Sequence, residues 1–386
     1  MSEMSNTRAY LDWNATAPLR PEARAAMLAA LDVVGNPSSP HTEGRRARAI
    51  VEDAREEVAA LVGAKPAEVV FLSGATEANN AVLAGGWETI LVAGIEHDSV
   101  LAPVRKLSGS ATTRLLQLAV DASGVVPLEA VAERAGETWA PHAGASRLLS
   151  LQLANNETGV VQQVAAATET AHAHGLSVHS DAVQAVGRIP VSFNALGIDY
   201  LSLSAHKLGG PKGVGALVVR DGAPQLPAFI AGGGQERRRR AGTENVPGIA
   251  GFGAAARAAA RDLAAMECVR RLRDRAEAHA KAITPAAVVI GAEAERLPNT
   301  TTIALPGTSA ETLVIALDLA GIAVSAGSAC SSGKVGASHV LEAMGLPPAL
   351  TRSAIRVSLG WASTQADVEA FAAAWAHVAA RGRAVA

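Results

Sequence analysis

Short apolar runs alternate with helix-forming segments between residues 68 and 219 of this sequence. Runs of this length, separated by amphipathic segments, are typical of strands in βαβ units. We therefore expect an α/β fold built on a mostly parallel sheet. The predicted strands are 68–72, 89–94, 147–153, 176–179, 199–203 and 214–219, and helices are predicted at 21–31, 43–62 and 164–174.

The pattern changes after Asn245, where a segment rich in alanine and arginine predicts one long helix over 246–281. Shorter strand and helix patterns follow to the end of the chain. A chain of 386 residues is long enough for about two domains. We expect a large domain over 16–257 and a smaller α/β domain formed by 1–15 and 258–386.

Composition limits the choice of partners and compartment. The formal net charge of −2 gives no reason to expect a nucleic acid or a membrane surface as a partner. The arginines at 237–240 are predicted to form a solvated loop rather than an RNA-binding patch. The chain has only two cysteines, and its first residues lack the apolar core of a signal peptide, so we expect a soluble, cytoplasmic protein.

Lys207 directly follows one predicted strand, and Asp181 lies at the end of the strand before it. A lysine amine can hold the aldehyde of pyridoxal phosphate as a Schiff base. A carboxylate can keep the pyridine nitrogen of that cofactor protonated, so that the ring withdraws electrons from a substrate. The pair, in this order along the chain, predicts a pyridoxal phosphate site.

Three further segments follow predicted strands and carry residues that could take part in such a site. The turn at 73–76 can bind a phosphate through backbone N–H groups at a helix start, although a simple Ser/Thr cap has equal weight from these residues alone. His97 can lie over a cofactor ring and exchange protons near neutral pH, although a lone histidine is more often a hydrogen-bonded structural residue. Asn155 can bind a ring oxygen or a substrate carboxylate, whereas ordinary turn chemistry is the alternative.

The two cysteines differ in their surroundings. Cys330 lies among serines and glycines, which predicts an accessible loop thiol that can act as a nucleophile. Composition alone favours the alternative, a loop cysteine without a catalytic role. Cys268 lies in the predicted long helix beside Met266 and Val269, which favours a packing role.

These residues together resemble the NifS/IscS-type cysteine desulfurases, which are class-V aminotransferases of fold type I. The chain departs from that family at Trp13-Asn14, where two asparagines are common, and we expect this change to be neutral. The matching blocks are 10–18, 36–41, 73–80, 96–97, 155–159, 181–184, 204–207, 242–245, 325–332, 338–341 and 356–360.

The resemblance implies a role for each matching site residue. Lys207 carries the cofactor and moves the substrate α-proton, Asp181 pairs with the pyridinium nitrogen, and His97 stacks on the ring. Gln184 binds the phenolic oxygen of the cofactor. The phosphate is bound by Ala75, Thr76, Ser204 and His206, with Thr243 from the other subunit of a homodimer, and the substrate carboxylate is held by Asn155 and Arg356.

The resemblance also implies the reaction. Sulfur is removed from L-cysteine to give L-alanine and a persulfide on Cys330, which is passed to an acceptor protein such as an iron–sulfur scaffold. A selenocysteine lyase or another pyridoxal phosphate lyase or aminotransferase is the first alternative, and the long segment after Cys330 argues against it. The second alternative is an inactive relative that serves as a sulfur-transfer scaffold. Four intact residues argue against it: Lys207, Asp181, His97 and Cys330.

Overall fold

The computed structural model describes residues 8–107, 113–137, 146–327 and 337–384, with side chains described to residue 380. Its strands are β1 (Ala9–Tyr10), β2 (Val69–Leu72), β3 (Thr89–Ala93), β4 (Arg114–Leu118), β5 (Arg147–Ser150), β6 (Ser177–Asp181), β7 (Tyr200–Ser204), β8 (Gly215–Val219), β9 (Val288–Ile290), β10 (Thr300–Ala304), β11 (Ile322–Ala323), β12 (Ser325–Ala326) and β13 (Ala354–Ser358). Its helices are α1 (Pro21–Leu31), α2 (Thr42–Leu61), α3 (Ala75–Leu83), α4 (Asp98–Leu107), α5 (Leu128–Gly136), α6 (Val164–Ala173), α7 (Phe193–Leu196), α8 (Val246–Arg261), α9 (Met266–Ile283), α10 (Ala310–Leu319), α11 (His339–Ala343), α12 (Pro348–Thr351) and α13 (Gln365–Ala384).

A seven-stranded sheet forms the larger part of the fold, in the order β2-β8-β7-β6-β5-β3-β4. The strands β3 to β7 run parallel to one another, whereas β8 is antiparallel to both of its neighbours. Every residue of β3, β7 and β8 is buried, because helices cover both faces of the sheet. The predicted mostly parallel sheet is confirmed. The edge strand β4, which has no clear apolar pattern, escaped prediction.

A smaller antiparallel sheet, β12-β13-β10-β9, organises the C-terminal part of the chain. Its apolar core includes Ile355, Val357 and Trp375, which belong to β13 and α13. The N-terminal strand β1 pairs in parallel with β11, so the first described residues join this smaller part. None of the described helices has both the length and the apolar character of a membrane span.

The single long helix predicted over 246–281 is wrong, because the chain breaks into α8 and α9. A 3-10 turn at Leu263–Ala265 separates them. Asp262 stands at the break and accepts a hydrogen bond from the buried Arg20 guanidinium at 2.6 Å. The physical reason for the break is packing. Phe252 of α8 lies in the core of the large sheet, whereas Val269 of α9 lies in the core of the small sheet.

The packing role predicted for Cys268 is also wrong, since this thiol is exposed. The buried face of α9 follows helical spacing through Met266, Val269, Arg273, Ala276 and Ala280, and Cys268 lies off that face. Its sulfur accepts a hydrogen bond from Arg271 at 3.0 Å.

Candidate active site

A cavity of about 600 Å³ opens beside the carboxyl ends of β6 and β7. This edge of a parallel sheet is where α/β proteins bind ligands. The cavity is lined by eight of the residues that the sequence analysis assigns to the site: Ala75, Thr76, His97, Asp181, Gln184, Ser204, His206 and Lys207.

Lys207 enters the cavity from a 3-10 turn that directly follows β7. Its amine donates a hydrogen bond to the carbonyl of Ala15 at 3.0 Å and another to the carbonyl of Asn14. The chain leaves the turn through Gly209, which has a φ of +82°. The N-terminal segment therefore holds the lysine amine at a defined place.

Asp181 ends β6, next to β7 in the sheet, and is largely buried. One carboxylate oxygen accepts a hydrogen bond from the Asn79 amide at 2.8 Å, and the other accepts the backbone N–H of Val183 at 2.9 Å. Asn79 also donates to the hydroxyl of Ser99 at 2.8 Å. These bonds orient the carboxylate on the cavity wall. Neither Asn79 nor Ser99 was predicted as a site residue, although the adjacent amides Asn79 and Asn80 within α3 were a signal for the former.

His97 follows β3 and is kept neutral by its surroundings. Burial lowers the pKa of its imidazole, and this outweighs the opposite effect of Asp181. The backbone N–H of Ser99 donates to Nδ1 at 3.0 Å, so the ring proton of the neutral form belongs on Nε2.

The start of α3 forms one end of the cavity. Its N-cap residue is Gly74, which offers no side-chain cap, so the first backbone N–H groups of the helix remain available to an anion. Burial raises the pKa of Glu77 in this turn, but hydrogen bonds from Arg240 and Ser73 outweigh it, and the pKa is lowered overall. Arg240 thus neutralises the Glu77 carboxylate at 3.0 Å. This ion pair fixes its side chain, whereas the sequence predicts a solvated arginine at this position.

His206 and Gln184 complete the described wall. Burial lowers the pKa of His206 to about 4, and the positive charge of Lys207 acts in the same direction. The His206 Nδ1 lies 3.1 Å from the hydroxyl of Thr16. Gln184 donates to the Asn14 carbonyl at 3.1 Å and accepts from Arg188 at 2.6 Å. His206 and Gln184 are thus both hydrogen-bonded to the N-terminal segment.

Three of the predicted site residues do not line the cavity. Thr243 is exposed on the surface. Asn155 is buried, and its amide is committed to the backbone of Ile95, Glu157 and Thr158. These bonds correspond to the turn chemistry that the sequence left open.

Arg356 is the third of these residues, and it is buried on β13. It donates to the carboxylate of Asp12 at 2.7 Å and to the carbonyl of Asn156 at 3.1 Å. Its Nε is buried without a hydrogen-bond partner among the described residues. Asn156 itself lines the cavity, which places the guanidinium just behind the wall. Cys330, the predicted nucleophile, lies outside the described residues.

Comparison with known proteins identifies the family. The class-V aminotransferase profile matches residues 9–371. A cysteine desulfurase of Cereibacter sphaeroides is 43% identical over 371 residues, which cover 94% of this chain and 93% of the relative. A cysteine desulfurase of Sinorhizobium fredii is 41% identical over 375 residues, which cover 93% of each chain.

Solved structures agree with this assignment. A NifS-like protein from Rickettsia africae has a TM-score of 0.88 and 33% identity, with 97% of this chain and 99% of that chain covered. The protein SspA, solved in complex with cysteine, has a TM-score of 0.78 and 29% identity, with 92% and 99% covered. The predicted fold type I is confirmed. The chain belongs to the class-V aminotransferase family, among its cysteine desulfurases.

Proposed function

We propose that this protein removes sulfur from L-cysteine at the cavity beside β6 and β7, with pyridoxal phosphate as its cofactor. The observation that carries the proposal is the convergence of Lys207 and Asp181, from adjacent parallel strands, on that cavity. The activity is that of the cysteine desulfurases to which the chain is similar over nine tenths of its length.

The cavity fits pyridoxal phosphate in its donor set. The start of α3 offers backbone N–H groups and the Thr76 hydroxyl to the phosphate, together with Ser204 and the neutral His206. Lys207 supplies the amine for covalent attachment, and Asp181 supplies the carboxylate for the pyridine nitrogen. Gln184 donates one amide proton to Asn14 and retains a second for the phenolic oxygen.

When bound, pyridoxal phosphate supplies an electron sink for the substrate carbon. Lys207 is the base that takes the α-proton of cysteine, and the carbonyls of Asn14 and Ala15 hold its amine whenever it is not covalently engaged. The neutral His97 presents its Nε2 proton on the cavity wall. Arg356 is proposed to bind the substrate carboxylate through its Nε, which has no hydrogen-bond partner among the described residues. Asn155 is proposed to join it with the second amide proton, the one that it does not donate to Ile95.

Sulfur transfer is assigned to Cys330. Its thiolate attacks the sulfur of the substrate, a sulfur–sulfur bond forms, and the carbon–sulfur bond of the substrate breaks. The electron pair of the broken bond stays with the carbon fragment, which is protonated to L-alanine. The persulfide is then passed to an acceptor protein, for which an iron–sulfur scaffold is our proposal.

Lys207→Ala tests the cofactor site. The substitution removes the only amine assigned to the linkage, so borohydride treatment should no longer fix pyridoxal phosphate to the protein, and alanine production should stop. Lys212→Ala is the matched control, because Lys212 lines the same cavity and its loss should leave the borohydride-stable linkage in place. A linkage that survives in Lys207→Ala would contradict the assignment. The measurement is peptide mass spectrometry after reduction.

Replacement of each cysteine by serine tests the sulfur acceptor. Cys330→Ser should still show the cofactor absorbance change on addition of cysteine, but alanine release should collapse because no thiolate accepts the sulfur. Cys268→Ser should retain most activity. The wild type and Cys330→Ser retain Cys268, which is exposed. Peptide mass spectrometry of these proteins after treatment with cysteine therefore measures non-specific persulfide formation on Cys268. Full turnover by Cys330→Ser, or persulfide on Cys268 alone, would refute the mechanism.

A further inference from the structure

The amide of Gln184 lies between two partners that can each form a hydrogen bond in only one sense. Its Oε1 accepts from Arg188 Nη1 at 2.6 Å, and its Nε2 donates to the Asn14 carbonyl at 3.1 Å. A guanidinium has donors only, and a backbone carbonyl is only an acceptor. The two ends of the amide therefore cannot be exchanged, and the second Nε2 proton is left for the cavity that Gln184 lines.

Arg188 is placed by the turns that follow β6. It comes four residues after Gln184, and the same Nη1 also donates to the Gln184 backbone carbonyl at 2.6 Å. Gly187, directly before it, has a φ of +76°, and a Cβ there would lie 2.7 Å from the Leu208 side chain. The guanidinium thus binds the backbone oxygen and the side-chain oxygen of Gln184 together.

Arg188 is only 7% exposed, yet it forms no ion pair with a carboxylate of the described residues. The buried Arg20 and Arg55, in contrast, each pair with a carboxylate. Burial lowers the pKa of Arg188 to about 9, and the like charge of Arg356 acts in the same direction, so the guanidinium is still charged at neutral pH. A buried cation without a counter-ion costs stability, and such groups are concentrated at functional sites.

The positive charge of Arg188 acts on the wall of the cavity. Burial lowers the pKa of His206 to about 4, and the charges of Lys207, Lys212 and Arg188 add to this effect. His206 lines the cavity, so the field of Arg188 extends to the place where a ligand would bind. A ligand oxygen beside Gln184 would therefore meet an N–H donor with a positive charge behind it, an arrangement that favours an anion.

We propose that Arg188 is a positioning residue for the cofactor: it holds the Gln184 amide with an N–H available to the cavity and supplies the positive charge behind it, so that this wall binds the phenolic oxygen of pyridoxal phosphate as an anion. This proposal deepens the proposed function and rests on the assignment of pyridoxal phosphate to the cavity. Arg188 does not contact the cofactor in this scheme. It acts through Gln184, whose hydrogen bond to an anionic oxygen is about twice as strong as one to a neutral oxygen.

The first test measures binding and does not require turnover. The cofactor-free protein is titrated with pyridoxal phosphate and with its 3-O-methyl ether, in which the ring oxygen cannot become an anion. The wild type should prefer pyridoxal phosphate, and this preference, expressed as the ratio of the two dissociation constants, should fall by about tenfold or more in Arg188→Met. The methyl group is equally bulky for both proteins, so its size cancels when the two ratios are compared.

Arg147→Met is the matched control for the loss of an arginine. Arg147 likewise donates to backbone carbonyls, those of Ala135 and His174, and forms no ion pair with a described residue. It begins β5, at the end of the parallel strands that lies away from the cavity. Arg147→Met should keep the wild-type ratio. Arg188→Lys, which retains the charge, should recover most of the preference.

The second test is spectroscopic and uses the holoenzyme. The absorbance of the Schiff base between Lys207 and the cofactor is recorded as a function of pH. A nearby positive charge disfavours the protonated imine, so Arg188→Met should raise the pH midpoint of the absorbance change by about one unit. The other titratable and charged groups around the imine are the same in every variant: Glu77, His97, Asp181, His206 and Lys212 on the cavity wall, and Arg356 behind it.

The outcomes separate the role of Arg188 from the proposed function. A wild-type ratio and a wild-type midpoint in Arg188→Met would overturn that role while leaving the pyridoxal phosphate site intact. If the wild type itself forms no Schiff base at Lys207, the proposed function fails, and with it the role of Arg188. If Arg188→Met does not fold, Arg188→Gln and Arg188→Lys give the same comparison, because both keep a donor for Gln184 and only the second keeps the charge.

Discussion

Folding changes the ionisation of the buried imidazoles at this site. His179 lies on β6, two residues before Asp181, and both of its ring nitrogens are within 2.9 Å of a serine hydroxyl, those of Ser150 and Ser202. Burial lowers the pKa of His179 to about 4, and Asp181 opposes this only in part. The native state therefore holds this ring neutral at a pH where the unfolded chain binds a proton.

The stability of the protein should depend on His179 as the pH falls. Between pH 6.5 and 4 the unfolded state binds the extra proton, so the free energy of unfolding decreases with falling pH, by up to about 1.4 kcal/mol per pH unit from this residue. Urea unfolding at several pH values should show a smaller decrease for His179→Gln than for the wild type. The exposed His174→Gln should match the wild type. Equal slopes in all three proteins would contradict the argument.

At the scale of elements, the turn after β7 decides where the Lys207 amine lies. Arg20 donates from Nε to the Leu208 carbonyl at 2.9 Å, and its guanidinium lies 3.8 Å from the ring centroid of Trp361. Gly209 leaves the turn at positive φ, and a Cβ at this position would overlap the Trp361 ring. Trp361, which follows β13 of the smaller sheet, thus packs directly on the turn that carries Lys207.

Gly209→Ala should therefore destabilise the site by more than the strain of an alanine at positive φ alone. An alanine at positive φ costs about 1–2 kcal/mol of strain, to which the overlap with Trp361 adds. Gly222→Ala is the matched control, because Gly222 has a φ of +87° and no atom within 4 Å of the added Cβ. We expect a larger fall in the denaturation midpoint and weaker cofactor retention for Gly209→Ala. Equal effects of the two substitutions would show that the contact with Trp361 is unimportant.

At the scale of the whole molecule, Thr243 is set apart from the cavity of its own chain. The segment before it is anchored by a buried ion pair between Arg55 and Glu236 at 2.8 Å, and by the pair of Arg240 with Glu77. Thr243 itself is exposed. A firmly held segment that presents an exposed threonine suits the proposal that it completes the phosphate site of a second subunit. The division into a large domain over 16–257 and a small one stays a prediction.

Mixed dimers test that proposal. Lys207→Ala and Thr243→Ala proteins are each expected to be impaired, the first completely. If Thr243 acts across a dimer, subunit exchange between them creates one intact site per mixed dimer, made from the Lys207 of one chain and the Thr243 of the other. Activity should then rise above that of Thr243→Ala alone. No rise, with light scattering confirming mixed dimers, would place Thr243 in its own subunit's site or in none.

The sequence by itself determined the parallel sheet and the convergence of Lys207 and Asp181. Both follow from local patterns, because apolar runs predict strands, and the carboxyl ends of parallel strands meet at one edge. The turn before α3 was predictable for the same reason, whereas its binding of a phosphate stays a proposal. The accessible thiol at Cys330 stays a prediction, made from the glycines and serines beside it in the chain.

Only the tertiary structure decided which distant side chains support these residues. Asn79 and Asp181 are 102 residues apart, and Glu157 and Ser338 are 181 residues apart, so no local pattern records their contact. The break between α8 and α9 and the exposure of Cys268 likewise depend on which core each helix face meets. The neutral state of His97 depends on burial, which exists only once the sheet, α3 and α4 have packed together.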